Sequence, residues 1–241
     1  MQAKERIAVA LDVDTAGQAL RLVEALRGRV GIFKVGMQLF NSEGPSVVRE
    51  IQAAGGRVFL DLKFHDIPNT VAGASRVMAR LGVHMFNLHV AGGSEMMRQA
   101  VTAAVEEAGR CGTRVPYILG VTVLTSISAA QLRQEMKVGM DLEELVVEWA
   151  RMAQQCGLAG VVASPQEVPA IRQACGPEFL IVTPGVRPRG SASDDQQRVT
   201  TPAEAVRLGS DYLVIGRPIV QAPDPVAAAD QIIAELEGRA C

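Results

Sequence analysis

Residues 57–70 read Arg-Val-Phe-Leu-Asp-Leu-Lys-Phe-His-Asp-Ile-Pro-Asn-Thr, a short apolar run that ends in a cluster of charges. The apolar residues 58–60 are typical of a buried strand. Asp61 and Lys63 follow them directly, and Asp66 comes next in the predicted loop. Because desolvating a charge is costly, a buried strand has no ordinary structural reason to end in charged side chains. We therefore interpret the end of this strand as part of a functional site.

The same alternation of a short apolar run and a helical pattern occurs eight times along the chain. Eight such units in 241 residues predict a parallel α/β structure closed into a (β/α)8 TIM barrel, with an open, doubly wound sheet as the alternative. No linker rich in Pro, Gly or Ser divides the sequence, so we expect residues 1–241 to form a single domain. The predicted strands are 7–11, 32–35, 57–62, 85–89, 117–122, 160–163, 179–183 and 212–215.

Helical periodicity fills the segments between the predicted strands. Residues 16–26 and 142–152 each carry an apolar stripe with the spacing of a helix, and a third helix is predicted to start at Pro45. The pair Asp224-Pro225 is typical of a helix cap followed by the first helical turn.

Composition agrees with this fold and excludes several kinds of partner. Hydrophobic residues make up 48% of the chain but aromatic residues only 4%, which suits parallel strands built from Val, Ile and Leu. A net charge of −2 gives no broad basic surface for nucleic acid or acidic lipid, so an anionic ligand must be bound by a local site.

The amino-terminal segment and the cysteines favour a cytoplasmic protein. Residues 1–6 are charged and lead into the first predicted strand, and no apolar run has the length of a membrane span. The four cysteines are too far apart in sequence to form a zinc-type or redox pair, so we expect free thiols. They are Cys111, Cys156, Cys175 and Cys241.

Charged residues follow three consecutive strands. Asp12 follows the first strand, Lys34 lies near the end of the second, and Asp61 and Lys63 close the third. In a parallel barrel, the catalytic groups lie at the carboxyl ends of the strands. Asp61 and Lys63 are two residues apart, so a regular strand would place them on one face. Salt bridges that only line the barrel mouth are the structural alternative.

The loops after the seventh and eighth strands predict an anion site. Residues 184–188 and 216–218 each combine glycine with arginine. Glycine allows backbone amides to approach an anion, and arginine supplies a planar, permanently charged fork. Barrels of this type often bind phosphate at these two loops. A plain tight turn at Gly216 and a surface cation at Arg217 are the alternative.

The motif Asp61-x-Lys63-x-x-Asp66-Ile-x-x-Thr70 resembles the signature of the orotidine 5′-monophosphate decarboxylases. The short form of this motif also occurs in a related superfamily of sugar-phosphate enzymes, whereas the form that extends to Thr70 is more specific. The resemblance continues over the whole chain. It includes Val9-Ala-Leu-Asp12, Phe33-Lys-Val-Gly36, residues 121–126, residues 183–187 with Asp195-Gln196, and residues 215–218.

The resemblance implies that the chain converts orotidine monophosphate into uridine monophosphate, the last step of de novo pyrimidine nucleotide synthesis, without a metal or cofactor. It implies that Lys63 stabilises the carbanion at C6 and protonates it, and that Asp61 lies beside the substrate carboxylate. Lys34 and Asp66 would hold these two groups in place.

The resemblance also assigns substrate contacts and a partner. Asp12 would bind the ribose hydroxyls and Thr125 the edge of the pyrimidine. Asp66 and Thr70 would reach the active site of a neighbouring subunit, so a homodimer is expected. The remaining substrate-binding residues, assigned to the phosphate and its surroundings, are Arg187, Gln196, Gly216 and Arg217.

Two other functions are compatible with a phosphate-binding barrel. One is a magnesium-dependent sugar-phosphate decarboxylase or hexulose-phosphate synthase of the same superfamily, and the other is a non-catalytic scaffold or sensor. Thr125-Ser126 and the extended motif argue against the first, and the complete set of charges argues against the second. We assign His65 a loop or packing role, because it falls at a variable position of the family's motif. His84 and His89 do not face one way across a strand, so we do not expect them to form a metal pair.

Overall fold

Eight parallel strands close into a barrel in the computed structural model, which describes residues 1–188 and 200–239. Each strand pairs with the next in sequence, and the eighth pairs with the first. The closed barrel is therefore confirmed over the open sheet, and every strand lies within two residues of its predicted bounds. The strands are β1 (Ile7–Ala10), β2 (Ile32–Gly36), β3 (Val58–Phe64), β4 (Met85–His89), β5 (Tyr117–Val121), β6 (Gly160–Val162), β7 (Leu180–Thr183) and β8 (Tyr212–Ile215).

Helices follow the strands and cover the outside of the barrel. They are α1 (Ala16–Leu26), α2 (Met37–Glu43), α3 (Ser46–Ala53), α4 (Pro68–Leu81), α5 (Gly93–Cys111), α6 (Ala129–Gln134), α7 (Leu142–Gln155), α8 (Val168–Cys175), α9 (Pro202–Leu208), α10 (Arg217–Val220) and α11 (Pro225–Leu236). Short 3-10 helices occupy Ala3–Arg6, Val90–Gly92 and Pro165–Glu167.

Local capping explains where the predicted helices begin. The Asp224 side chain accepts hydrogen bonds from the backbone N–H groups of Val226 and Ala227, and Pro225 is the first residue of α11, as predicted. Pro45 immediately precedes α3, whose buried face carries Val47, Val48 and Ile51. Helix α7 buries Leu145 and Val146 of its predicted stripe.

The barrel interior consists of layers of side chains that alternate along the strands. Ile32, Phe59 and Met85 belong to an apolar cluster formed by residues from neighbouring strands. Two residues further along the same strands lie Lys34, Asp61 and Asn87. Because side chains alternate between the faces of a strand, this second set lies on the same side one step nearer the carboxyl ends. The polar layer therefore lies directly above an apolar floor.

Other features of the described chain agree with the sequence. Cys111, Cys156 and Cys175 are free thiols, while Cys241 lies outside the described residues. Within residues 1–188 and 200–239, no helix is both long and apolar enough to span a membrane.

Candidate active site

Four charged side chains from three strand ends form one continuous chain of ion pairs, which we call the charge chain. Lys34 Nζ lies 3.2 Å from Asp12 Oδ1 and 3.5 Å from Asp61 Oδ2. Lys63 Nζ lies 2.6 Å from Asp61 Oδ1. The prediction that these residues converge is therefore confirmed, and acid and base alternate along the chain.

Asp61 is the centre of the charge chain and stays ionised despite its burial. Burial alone would raise the pKa of its carboxyl group, but the charges of Lys34 and Lys63 and the hydrogen bonds from Lys63 and Asn87 outweigh this effect. The net result is a pKa below the ordinary value for an aspartate. The site therefore holds a fixed negative charge between two ammonium groups.

The backbone of β3 is irregular at the catalytic motif. Lys63 has a φ of 54°, in the left-handed region that residues other than glycine seldom adopt. The pairing of β3 with β4 also shifts register between Leu60 and Phe64. Asp61 and Lys63 do meet, as predicted, but the regular alternation assumed for that prediction is interrupted at Lys63. Strain of this kind is often found at functional sites.

Asn87 on β4 is a site residue that the sequence reasoning missed. Its side chain is 1% exposed, and its amide donates a hydrogen bond to Asp61 Oδ1 at 2.7 Å. Its carbonyl oxygen accepts a hydrogen bond from the backbone N–H of Lys63 at 2.8 Å. The available signal was a polar residue at an inward-facing strand position, two residues after Met85.

Two cavities meet at the charge chain. The arginine cavity, of about 210 Å3, is lined by Ala10, Asp12, Lys34, Asp61, Pro184, Gly185, Val186, Arg187, Val214, Gly216, Arg217 and Pro218. The apolar cavity, of about 160 Å3, is lined by Phe59, Asp61, Lys63, Asn87, Val121, Val123, Leu124, Thr125, Val162, Ala163, Pro184 and Val214. Asp61, Pro184 and Val214 line both cavities, so a ligand that fills them together passes beside the charged centre.

The arginine cavity brings together the two predicted anion-binding loops. Arg187 is buried, and its backbone N–H donates a hydrogen bond to the carbonyl of Thr200 at 3.0 Å. Arg217 begins the one-turn helix α10 directly after Gly216. A Cβ atom on Gly216 would lie 3.3 Å from Ala10 Cβ, so a side chain there would crowd the cavity wall. Gln196 lies outside the described residues.

Thr125 is half-buried and lines the apolar cavity together with Lys63. Most of the other lining residues are aliphatic, so this cavity suits a flat, largely uncharged ring. A ligand bound in this cavity would lie beside Lys63, whose ammonium group is a proton donor.

Asp66 and Thr70 are not part of the charge chain in a single subunit. Both residues are exposed, and Asp66 Oδ1 accepts a hydrogen bond from the backbone N–H of Ile67 at 2.7 Å. Ile67, a large apolar residue between them, is 68% exposed. Within one chain, the described contacts leave this segment facing outward.

A larger groove is lined by residues of α7 and the two residues before that helix. It has a volume of about 700 Å3 and runs along α7, where Asp141, Glu143, Glu144 and Glu148 line it with Arg151. This excess of carboxylates makes the groove unsuitable for an anionic ligand. The charge chain and its two cavities remain the better candidate site.

The histidines pack against other rings. The His65 and His89 rings lie 5.5 Å apart, and burial, together with the charges of His65 and Lys63, lowers the pKa of His89. His84 contacts Tyr117 edge to face. Within the described residues, no three or more His, Cys, Asp and Glu side chains form a group that could hold a metal ion.

A closed parallel barrel whose carboxyl-end mouth combines alternating charges with an arginine-lined cavity is the architecture of a (β/α)8-barrel enzyme. The model of the family described as "Orotidine 5'-phosphate decarboxylase / HUMPS family" matches residues 5–232. The chain belongs to this family.

Relatives and solved structures agree with this assignment. The chain is 62% identical over 238 residues to the orotidine 5'-phosphate decarboxylase of Syntrophomonas wolfei, covering 98% of this chain and 100% of the relative. It is 56% identical to that of Moorella thermoacetica, covering 98% and 94%. The crystal structure of the Lactobacillus acidophilus enzyme superposes with a TM-score of 0.85 at 38% identity, covering 95% of this chain and 98% of that chain.

Proposed function

We propose that this protein decarboxylates orotidine 5′-monophosphate to uridine 5′-monophosphate and carbon dioxide, the last step of de novo pyrimidine nucleotide synthesis, in the cytoplasm. The observation that carries this proposal is the charge chain at the junction of an anion-binding cavity and an apolar cavity. The names of the relatives that match nearly the whole chain support the same reaction.

The two cavities suit the two ends of a nucleotide. In our proposal, the 5′-phosphate binds in the arginine cavity to Arg217, Arg187, Gln196 and the backbone at Gly216. The pyrimidine occupies the apolar cavity beside Thr125. Asp12, which lines the arginine cavity and pairs with Lys34, is positioned to accept hydrogen bonds from the ribose hydroxyls. The substrate carboxylate at C6 then lies near Asp61 and Lys63.

The chemical step needs a stabilised carbanion and a proton. When the bond between C6 and the carboxylate breaks, the electron pair stays on C6 in the plane of the ring, where the π system cannot delocalise it. The Lys63 ammonium group stabilises this charge and then donates a proton to C6, and neutral Lys63 regains a proton from solvent. Asp61 disfavours the substrate carboxylate in the ground state, while Lys34 keeps Asp61 charged.

We propose that the reaction needs no metal ion or cofactor. Both oxygens of Asp61 contact ammonium groups, Oδ1 that of Lys63 and Oδ2 that of Lys34. A divalent cation would have to displace one of them to reach this carboxylate. This contact pattern argues against the magnesium-dependent sugar-phosphate enzymes, which remain the alternative.

The outward-facing Asp66 and Thr70 lead us to propose a homodimer with shared active sites. The exposed Ile67 between them is an apolar anchor for a second copy of the chain. In a two-fold symmetric dimer, each subunit would receive Asp66 and Thr70 from its partner.

One assay tests substrate, reaction and metal independence together. Purified protein is mixed with orotidine 5′-monophosphate in the presence of excess EDTA, and the loss of the substrate's ultraviolet absorbance is followed. We expect rapid conversion to uridine 5′-monophosphate. No conversion by a folded sample would overturn the proposed reaction, and sugar phosphates with magnesium would be tested next.

Mixing two inactive variants tests the shared sites. Lys63→Ala and Asp66→Ala are purified separately, then unfolded, mixed in equal amounts and refolded together. Each heterodimer would contain one site with both Lys63 and Asp66 intact, so about a quarter of the wild-type activity should return. If the mixture stays as inactive as its parents, although wild-type protein recovers activity in the same procedure, Asp66 does not act across an interface.

A further inference from the structure

The carbonyl oxygen and the NH2 group of the Asn87 side chain each form a hydrogen bond with a residue of the charge chain. It lies in the middle of β4 (Met85–His89), is 1% exposed, and contacts two different parts of the β3 motif. Its Nδ2 group donates to Asp61 Oδ1 at 2.7 Å, and its Oδ1 atom accepts from the backbone N–H of Lys63 at 2.8 Å. These two bonds fix the orientation of the amide. In the reverse orientation, the amide oxygen would face the Asp61 carboxylate and the amide NH2 group would face the backbone N–H of Lys63.

The bond to the Lys63 backbone accounts for an otherwise unfavourable conformation. Lys63 has a φ of 54°, and the β3–β4 pairing is shifted at this point, so the regular ladder does not hold the residue. A buried backbone N–H without a partner costs free energy, and Asn87 supplies that partner only while Lys63 keeps its left-handed conformation. Asn87 thereby takes the place of the missing ladder bond.

The bond to Asp61 fixes the other end of the same pair. The Oδ1 atom that receives the Asn87 amide is also the atom that the Lys63 ammonium group contacts, at 2.6 Å. Asn87 therefore sets the direction of the carboxylate as well as the backbone from which the lysine side chain projects. The distance from Lys63 Nζ to a bound ring depends on both.

We infer that Asn87 is a positioning residue for decarboxylation, which holds Lys63 in its left-handed conformation and orients Asp61 through the two ends of one amide. The inference rests on the proposed function, because it assigns Asn87 to the reaction of Lys63 and Asp61. Asn87 itself acts through these residues and takes no part in proton transfer.

The first test compares kcat with KM in Asn87→Ala. Losing both hydrogen bonds should lower kcat roughly 100-fold through misplacement of Lys63, while KM for orotidine 5′-monophosphate changes only a few-fold. Ser75→Ala is the matched control, since it also removes a fully buried polar group, whose hydroxyl donates to the Val71 carbonyl within α4. A folded Asn87→Ala protein with a kcat within about three-fold of wild type would overturn the inference.

The second test uses Asn87→Asp, which has the same shape and remains decisive if the alanine variant fails to fold. Above neutral pH, the introduced carboxylate and that of Asp61 would both be charged and would repel each other. As the pH falls, one of the two takes up a proton. Once protonated, the new side chain donates to Asp61 and accepts from Lys63 in the wild-type pattern.

The kcat of Asn87→Asp relative to wild type should therefore rise about ten-fold between about pH 8 and about pH 5.5. A ratio that is constant over this range would show that only a structural contact was lost, and would overturn the inference. Wild-type turnover in the same assay separates this failure from failure of the proposed function, which would leave wild type inactive as well.

Discussion

Gly36 lies so close to Lys34 that a Cβ atom on Gly36 would lie 3.0 Å from Lys34 Nζ. The same atom would lie 3.4 Å from Asp12 Oδ1, the partner of that ammonium group. Gly36 has a φ of −93°, which any residue adopts, so its backbone conformation does not require glycine. The requirement is space for the Lys34–Asp12 ion pair.

Gly36→Ala should displace the Lys34 ammonium group and leave the fold intact. We expect kcat/KM for orotidine 5′-monophosphate to fall roughly 10- to 100-fold, because a small misplacement in a preorganised site is costly. Gly109→Ala, on the exposed side of α5, is the matched control with no atom within 4 Å of the added methyl group. Equal activity of the two variants would contradict the spatial role of Gly36.

Lys63→Ala should retain the fold and lose at least about 1,000-fold in kcat, since it removes the proton donor and the positive charge. Circular dichroism and the ultraviolet assay measure the two effects. Lys137→Ala is an apt control, because Lys137 also has a positive φ, of 60°, but lies at the exposed end of the α6 region. Near-normal turnover by Lys63→Ala would refute the role assigned to Lys63.

The strain at Lys63 can be measured by comparing two inactive variants. Glycine adopts a φ of 54° without the steric cost of a Cβ atom. The free energy of unfolding of Lys63→Gly should therefore exceed that of Lys63→Ala by about 1 kcal/mol, as measured by urea denaturation. At an ordinary strand position, the alanine variant would be the more stable of the two. A higher free energy of unfolding for Lys63→Ala than for Lys63→Gly would therefore contradict the left-handed backbone.

Arg217→Ala should weaken phosphate binding without changing the chemistry at C6. A hydrogen bond to a charged group is worth about 1.5–3 kcal/mol, so kcat/KM for orotidine 5′-monophosphate should fall about 10- to 150-fold. The turnover of orotidine, which lacks the phosphate, should change little. If both substrates lose activity equally, Arg217 does not act through the phosphate.

His84 should make the stability of the protein dependent on pH. Burial, with the charges of Arg57 and Arg114, lowers the pKa of His84 from 6.5 to about 4. The unfolded chain therefore binds a proton before the folded chain does, and stability falls as the pH drops from about 6.5 to about 4. Below that window both states are protonated and the effect ends.

His84→Phe, which keeps a ring against Tyr117, should weaken this pH dependence. On acidification across this window, wild type should lose about 1–2 kcal/mol of unfolding free energy relative to the variant, after allowance for partial exposure of the ring. Parallel curves for the two proteins would contradict the lowered pKa.

Much of the fold and part of the site follow from sequence periodicity. Each strand is a short apolar run, and the ends of the first three runs carry the charges that the barrel brings together. Asn87 was not predicted, because a single polar residue in an apolar run is informative only once the inward-facing register of that strand is known. The conformation of Lys63 could not be predicted either. The rule of alternation assumes a regular strand, and β3 is irregular at Lys63.

Asp66 and Thr70 belong to a proposed site that needs a second copy of the chain. The motif that contains Asp66 follows from the sequence, whereas the place where its carboxylate acts would, under the proposed homodimer, be set by the partner and not by local sequence. Ile67 is 68% exposed in the single chain, as the proposed interface requires.

The junction of the two cavities at Asp61, Pro184 and Val214 has a consequence for ligand design. In the proposed binding mode, a phosphate-bearing fragment and a flat heterocycle would occupy separate cavities, so weak binders of each kind could be found independently. A tether that passes Asp61 would convert the second binding event into an intramolecular one, with an effective concentration in the millimolar range for a short flexible link. A cationic group in the tether would be attracted by the Asp61 carboxylate, which also pairs with Lys34 and Lys63. An anionic group would be repelled by the same carboxylate.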